Sequence, residues 1–343
     1  MSAVPQTPVP TRPTHAPDQA ARAWRAACAA TGRRAQGTPA VTPLKTQRPG
    51  RKSVVYRLAG AGDDGSDVVA KHCTRSTGAV ERLVYERILP RLDISTGHYY
   101  GYWDDHDGEF CWLILEDAGE RKLAVTDREL AAEWLARLHT GAQALTALAP
   151  LPDRGPSHYL SHLRAGRALV RALLDDLQMP DDVTAAAHAI LRLADRLESR
   201  WQSVCSSCDA APRTLVHGDF CRKNLRLRTN AGGPQLIALD WETAGWGPPA
   251  ADIPFSPTRC LRPHQWDGTV PLDAYARHAA ERWDGPRMRD LERLARIGIL
   301  FRAIAGVRWA AEKIQGGGMA KGGEQLCWAA NLLTGVLAEL DLA

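Results

Sequence analysis

The chain has 343 residues, of which 45% are hydrophobic and 24% are charged, and its formal net charge is +4. This is the composition of an ordinary globular protein with room for two lobes. The small net charge argues against a nucleic-acid partner, and no uncharged apolar run approaches the ~18 residues of a membrane helix. The polar N-terminus also lacks the apolar segment of a secretory signal, so we expect a cytoplasmic protein. We expect it to be a monomer or a homodimer.

The first 40 residues are predicted to be a tail followed by a short helix. Residues 1–17 contain five prolines and few large apolar side chains, which indicates disorder. Asp18 then caps a helix that runs through Trp24 and Cys28 and ends near Gly32. Before position 61 the only acidic residue is Asp18, so this region has either a solvated basic surface or an attraction for a polyanion.

Residues 41–116 have mostly the two-residue periodicity of strands. The segment from Gly60 to Ser66 has the composition of a hairpin turn, and Pro90 ends the one helix, which is predicted at 77–89. The strands are predicted at 53–58, 67–71, 99–103 and 110–115.

From residue 117 to residue 343 the periodicity is mainly helical. Thr126 and Glu129 have the spacing of a capping box that opens one helix. Further helices are predicted at 157–175, 182–204, 271–283, 287–313 and 323–340, with short strands at 214–216, 225–228 and 235–239. The order of elements predicts an α+β fold, in which a small antiparallel-sheet lobe is followed by a larger helical lobe.

The strongest chemical signal is His217-Gly-Asp-Phe-Cys-Arg-Lys-Asn224, between two strand-like runs. Asp219 and Asn224 have the spacing of a kinase catalytic loop, and a further strand ends at Asp240. In phosphoryl transfer one carboxylate faces the acceptor hydroxyl, and side-chain oxygens reach the metal that bridges the phosphates. One loop of this length can present both groups, and a second carboxylate on the next strand would complete a Mg²⁺ shell.

This loop resembles the H-G-D-x-x-x-x-N motif of the aminoglycoside phosphotransferase family, which is related to the choline kinases. Gly218 stands where protein kinases usually have Arg. The segment Ile237-Ala-Leu-Asp240-Trp-Glu resembles the metal-binding strand end of the family, and Gly245-Trp-Gly247 with Ala251-Asp252-Ile253 resembles the segment that follows. The resemblance covers roughly residues 45 to 310. It implies a bilobal protein-kinase-like fold, ATP or GTP with Mg²⁺ as cofactors, and a small-molecule hydroxyl as the substrate.

The resemblance also implies a role for each loop residue. Asp219 would be the catalytic carboxylate that positions the substrate hydroxyl, and Asn224 and Asp240 would bind Mg²⁺. His217 would orient the loop, and Asp252 would brace it with hydrogen bonds.

Residues of the predicted sheet lobe resemble the nucleotide-binding parts of the family. Lys71, in Val68-Val-Ala-Lys71, would contact the α- and β-phosphates. Its ion-pair partner would be Glu81, with Glu86 as the rival. Ser53 would help to cover the phosphates at the end of the 48–53 segment. Adenine would bind the backbone between Glu116 and Ala118, at the predicted hinge.

The acceptor is the part of the function that the sequence indicates least, and several alternatives stay open. We expect an amine-bearing antibiotic, bound by acidic side chains of the helical lobe. The candidates are Glu242, Asp267, Asp273 and Asp341. A metabolite kinase for choline or a sugar is the main alternative, in which Trp309 would line a cation pocket. A macrolide kinase and a nucleotide-binding pseudoenzyme are weaker alternatives.

Overall fold

The computed structural model describes residues 17–35, 37–45, 53–105, 108–230, 233–255, 268–283 and 288–342. Within these ranges the chain divides into two compact units. The first takes in the described residues of 1–79 and 97–117, and the second those of 80–96 and 118–343. The first unit carries a five-stranded sheet and the second carries most of the helices, so the predicted α+β architecture is confirmed.

The sheet of the first unit is antiparallel throughout, in the order β1-β2-β3-β5-β4. Its register pairs Lys71 with Val55 on one side and with Leu113 on the other. The turn between β2 and β3 places Gly60 and Gly65 at positive φ, as the glycine-rich sequence predicts. The strands are β1 Val41–Lys45, β2 Ser53–Leu58, β3 Val68–Thr74, β4 Tyr99–Asp104 and β5 Phe110–Glu116.

One face of this sheet is covered by helix α1, Pro17–Ala30. Trp24 is 1% exposed and meets the ring of Tyr100 edge-on at 5.2 Å. The alternation of side chains along β3 sends Ala70 toward this core and Lys71 toward the opposite face. The helix is therefore part of the core of the first unit.

Helix α2, Arg75–Leu83, continues as a π-helical turn, Val84–Ile88, and a short 3₁₀ turn, Leu89–Arg91. The second unit then contains α3 Arg128–Ala142, α4 Pro156–Asp176, α5 Asp181–Ser199, α6 Trp201–Asp209, α7 Leu272–Ala279, α8 Met288–Gln315 and α9 Met319–Glu339. Helices α4, α5, α8 and α9 enclose one apolar core. Every helix in the described part of the chain is too short or too polar to cross a lipid bilayer.

Two sequence expectations about helix boundaries are wrong. The predicted helix 182–204 is divided at Arg200, whose φ and ψ of −107° and 13° interrupt the helical geometry between α5 and α6. The expected capping box at Thr126 and Glu129 is replaced by a 3₁₀ turn, Val125–Asp127, before α3. In that turn Asp127 Oδ2 accepts the Ala124 N–H at 2.9 Å, so Asp127 takes the role expected of Glu129, two residues earlier.

Two short sheets, each of two antiparallel strands, are formed by the residues between α6 and α7. Strand β6, Thr214–Val216, pairs with β9, Gly245–Gly247, and β7, Leu225–Asn230, pairs with β8, Gly233–Ala238. The loop 217–224 therefore connects the two sheets, and the strand before Asp240 lies beside the strand after Asn224. This topology brings the polar residues of the loop together.

Candidate active site

The loop 217–224 is held by a carboxylate that lies outside it. Asp252 Oδ2 accepts the His217 N–H at 2.6 Å, and Asp252 Oδ1 accepts the Gly218 N–H at 2.8 Å. Burial alone would raise the pKa of the Asp252 carboxyl, but the hydrogen bond and charge of His139, with the charge and N–H of His217, outweigh it and lower the pKa. The fully buried carboxylate thus stays ionised and fixes the start of the loop.

Gly218 is the residue of the loop where a side chain is least tolerable. Its φ is +74°, and an added Cβ would lie 2.5 Å from the carbonyl oxygen of Thr243. The Thr243 hydroxyl donates to the carbonyl of His217 at 3.0 Å, and the His217 Nε2 lies 3.0 Å from the carbonyl of Leu239. The close approach of the two segments explains why glycine stands at this position.

Asp219 and Asn224 are brought into direct contact by the loop. The Asn224 Nδ2 donates to both the main-chain oxygen and Oδ2 of Asp219, each at 3.0 Å. Both residues are buried, at 4% and 6% exposure. Because the amide nitrogen of Asn224 donates to Asp219, its amide oxygen is the atom that can bind a cation.

A thiol and two cations also approach the Asp219 carboxylate. Burial, with the charge of Asp219, raises the pKa of the Cys221 thiol to about 12, so this thiol stays protonated and donates to Asp219 Oδ1 at 3.4 Å. The Lys223 Nζ lies 3.0 Å from Asp219 Oδ2, and the Arg302 Nη1 lies 3.9 Å from Asp219 Oδ1. Arg302 belongs to α8 and its side chain is 5% exposed.

Asp240 lies at the end of the neighbouring strand in an unusual backbone conformation. Its φ and ψ are 68° and 60°, a left-handed geometry that costs energy for a residue with a Cβ and that recurs at active sites. The Leu239 N–H donates to the main-chain oxygen of Asn224 at 2.8 Å, so the two predicted metal ligands are on adjacent backbones.

The carboxylates of Glu81 and Glu242 lie close to that of Asp240. Glu81, Asp240 and Glu242 each place an oxygen within 4.8 Å of the others, and Glu81 is fully buried. Carboxylate oxygens, together with the amide oxygen of Asn224, are the hard ligands that Mg²⁺ prefers, so the residues fit this cation. The sequence predicts Glu242 as a substrate residue and Glu81 as the partner of Lys71. The structure brings both to Asp240.

The other predicted nucleotide residues lie on the sheet of the first unit or at its exit. Lys71 is 7% exposed in the middle of β3, and Ser53 is 5% exposed at the start of β2. Glu116 ends β5, where its Oε2 accepts the His98 N–H at 2.9 Å. Ala118 is buried in the second unit. Residues 48–52 lie outside the described residues, and the ion pair of Lys71 with Glu81 stays a prediction.

The predicted acceptor residues are dispersed over the second unit. Asp273 is exposed in the first turn of α7, and Asp341 is exposed after α9 at a φ of 56°. The Asp341 main-chain oxygen accepts from Arg200 at 3.4 Å. Asp267 lies outside the described residues.

Sequence reasoning missed Lys223 and Arg302 as neighbours of Asp219. Lys223 could have been found, because it stands within the motif four residues after Asp219. Arg302 gives no local signal, since only the packing of α8 brings it to the loop.

The sequence matches the model of the phosphotransferase enzyme family over residues 94–291. No curated protein matches it. Many solved structures are similar to it, and three of them illustrate the range. Plasmodium vivax ethanolamine kinase is 17% identical, with a TM-score of 0.53 and coverage of 85% of this chain and 82% of that one. Choline kinase from Cryptosporidium parvum is 11% identical (TM-score 0.57, coverage 89% and 91%). The GDP and kanamycin complex of APH(2")-IIia is 15% identical (TM-score 0.53, coverage 88% and 93%).

Proposed function

The chain belongs to the phosphotransferase enzyme family, with the kinase-like fold of the aminoglycoside phosphotransferases and choline kinases, and we propose that it transfers the γ-phosphoryl group of ATP, or of GTP, to a hydroxyl of a small molecule. One observation carries the proposal. Asn224 binds the buried Asp219 carboxylate through its side chain and the strand end before Asp240 through its backbone. An acceptor-facing carboxylate and a pair of metal ligands are therefore contiguous, as phosphoryl transfer requires.

In the proposed reaction, Asp219 orients the acceptor hydroxyl toward the γ-phosphorus. The hydroxyl oxygen bonds to phosphorus as the bond from phosphorus to the β-phosphate oxygen breaks, and the hydroxyl proton passes to the Asp219 carboxylate. His217 and Asp252 hold the loop in the geometry that this step needs. Asp252 accepts the N–H groups of His217 and Gly218, and His217 Nδ1 accepts the N–H of Asp219 at 3.3 Å. Proximity and orientation supply much of the rate enhancement in such a reaction.

Asn224 and Asp240 are the proposed ligands of Mg²⁺, with Glu242 beside them. When bound, Mg²⁺ supplies positive charge that offsets the charge of the phosphates. Lys71 would contact the α- and β-phosphates, and Glu81 would pair with Lys71. Ser53 would lie against the phosphates and the backbone from Glu116 to Ala118 against the base. These nucleotide assignments rest on the family pattern and on the positions of the residues at strand ends or within β3.

For the acceptor we propose an amine-bearing antibiotic, which the acidic side chains of Asp267, Asp273 and Asp341 would recognise. A metabolite kinase is the second candidate, and one observation favours it where the acceptor is uncharged, as a sugar is. Lys223 and Arg302 lie 3.0 and 3.9 Å from Asp219, and positive charge at that carboxylate disfavours a polycation next to it. A neutral or anionic acceptor does not meet this repulsion.

The test is ADP release by the purified full-length chain with a panel of acceptors. The panel contains aminoglycosides, basic peptide antibiotics, macrolides, choline, simple sugars and hydroxy acids, and the Asp219→Asn variant serves as the inactive control. Turnover of an antibiotic, with resistance on expression in a drug-sensitive host, would support the first candidate. Turnover of choline, a sugar or a hydroxy acid alone would replace it with the second. ADP release at the same rate by the Asp219→Asn variant would contradict both.

A further inference from the structure

The last turn of the catalytic loop directs a lysine back over the catalytic carboxylate. Residues Arg222–Asn224 form a 3₁₀ turn, and Lys223 thereby reaches Asp219, four residues earlier, with Nζ 3.0 Å from Oδ2. The Lys223 side chain is 42% exposed, whereas the Asp219 side chain is 6% exposed. The ammonium group thus approaches a buried carboxylate from the open side of the loop.

The charge of Lys223 is held by two carboxylates. The charges of Asp219 and Asp240 both act on the ammonium group, and Asp219 also accepts its hydrogen bond. A lysine ammonium keeps its charge near neutral pH, because its ordinary pKa is about 10.4. The charge of Lys223 interacts with Asp219, the carboxylate proposed to face the acceptor, and with Asp240, the carboxylate proposed to bind the metal. In the proposed reaction the phosphoryl group passes between these two carboxylates.

We propose that Lys223 is a catalytic residue that donates a hydrogen bond to an oxygen of the phosphoryl group during its transfer. This inference rests on the proposed function. The ammonium has three N–H donors, so it can bind a phosphoryl oxygen while it keeps its bond to Asp219. Lys223 neither gains nor loses a proton in the step. Charge on the equatorial oxygens of the transferred group is stabilised best by donors that are already in place.

A simpler role is a resting ion pair that only neutralises Asp219 until ligands bind. The two roles differ in one respect. A lysine that binds the phosphoryl oxygens strengthens binding of a planar mimic of the transferred group, whereas a resting ion pair does not.

The experiment compares the affinities of the full-length chain for ADP with Mg²⁺ and for ADP with Mg²⁺ and fluoroaluminate. The variants are Lys223→Met, Lys223→Arg and the exposed, remote control Lys321→Met. We expect Lys223→Met to weaken fluoroaluminate-dependent binding by about 10²–10³-fold, the usual effect of removing one such donor. Binding of ADP alone stays within about threefold. Lys223→Arg retains part of the effect, and Lys321→Met behaves as the wild type.

An unchanged fluoroaluminate affinity in Lys223→Met would overturn the role of Lys223 and leave the proposed function intact. Failure of the wild-type chain to bind either complex, whether made with ADP or with GDP in its place, would overturn the proposed function and the role of Lys223 with it. Because the Lys223 side chain is partly exposed, the variants are expected to fold, and Lys223→Gln with its circular dichroism spectrum provides a second check.

Discussion

At the scale of single residues, the geometry of the catalytic loop depends on Asp252. Its two carboxylate oxygens accept the successive N–H groups of His217 and Gly218, and its Oδ2 lies 3.4 Å from His139 Nε2. An ionised buried carboxylate is stable only where such donors satisfy it. Removal of the Asp252 carboxylate is therefore expected to disrupt the geometry of the loop as well.

Replacement of Asp252 by Asn is expected to destabilise the protein by about 2–5 kcal/mol near neutral pH, because the backbone donors lose an ionised acceptor inside the core. The pKa of Asp252 is lowered in the folded state. Its contribution to stability is therefore complete above the ordinary aspartate pKa and is lost as the pH falls through the lower folded value. Urea unfolding of the wild type and Asp252→Asn at neutral and acid pH measures this.

The exposed Asp209→Asn variant is the matched control and should unfold as the wild type does. A neutral-pH midpoint for Asp252→Asn equal to that of the wild type would contradict the bracing role. So would a difference between the two proteins that grows as the pH falls below about 4.

Much of the loop could be predicted from sequence because its chemistry is local. Asp219 and Asn224 stand five residues apart, and this spacing predicts that one loop presents both groups. Glu242 is predicted to face the substrate, and the structure places it beside Asp240 and Glu81. Its position depends on a left-handed residue followed by a short 3₁₀ turn, which the sequence does not indicate. Arg302 could not be predicted, because the rotation of α8 about its axis is set by packing.

At the scale of secondary-structure elements, the packing of helix α1 on the sheet is the feature that the sequence does not indicate. Asp18 and Gly32 predict the ends of the helix well. Its docking on the sheet follows from contacts that are distant in sequence. Gly101 lets the helix approach, since a Cβ at this glycine would lie 3.3 Å from that of Ala27. The strand β9 is likewise too short to be recognised, and it is defined only by its pairing with β6.

Trp24→Ala is expected to destabilise the first unit by about 3–5 kcal/mol, because it removes a large side chain that is 1% exposed and packed against Tyr100. Arg25→Ala, one residue along on the exposed face, should change stability by no more than about 0.5 kcal/mol. Denaturant unfolding followed by circular dichroism compares the two variants. Equal stabilities would show that α1 does not contribute to the core of the sheet unit.

At the scale of the whole molecule, similarity of fold extends further than similarity of sequence. The family model matches residues 94–291, which leaves out most of the sheet, whereas the similar structures cover 85–89% of the chain. The same fold is found in an ethanolamine kinase and in a protein whose structure is a complex with GDP and kanamycin. Fold alone therefore does not choose the acceptor, which depends on side chains in the substrate pocket.

The central claim is that this chain transfers a phosphoryl group from a nucleoside triphosphate through Asp219. The most direct test is single-turnover transfer from γ-labelled ATP to whichever acceptor the panel identifies, with ATP affinity measured in parallel. Asp219→Ala is expected to slow transfer by about 10²–10⁴-fold while ATP affinity stays within about threefold, and Asp209→Ala should match the wild type. Transfer by Asp219→Ala at the wild-type rate would contradict the account.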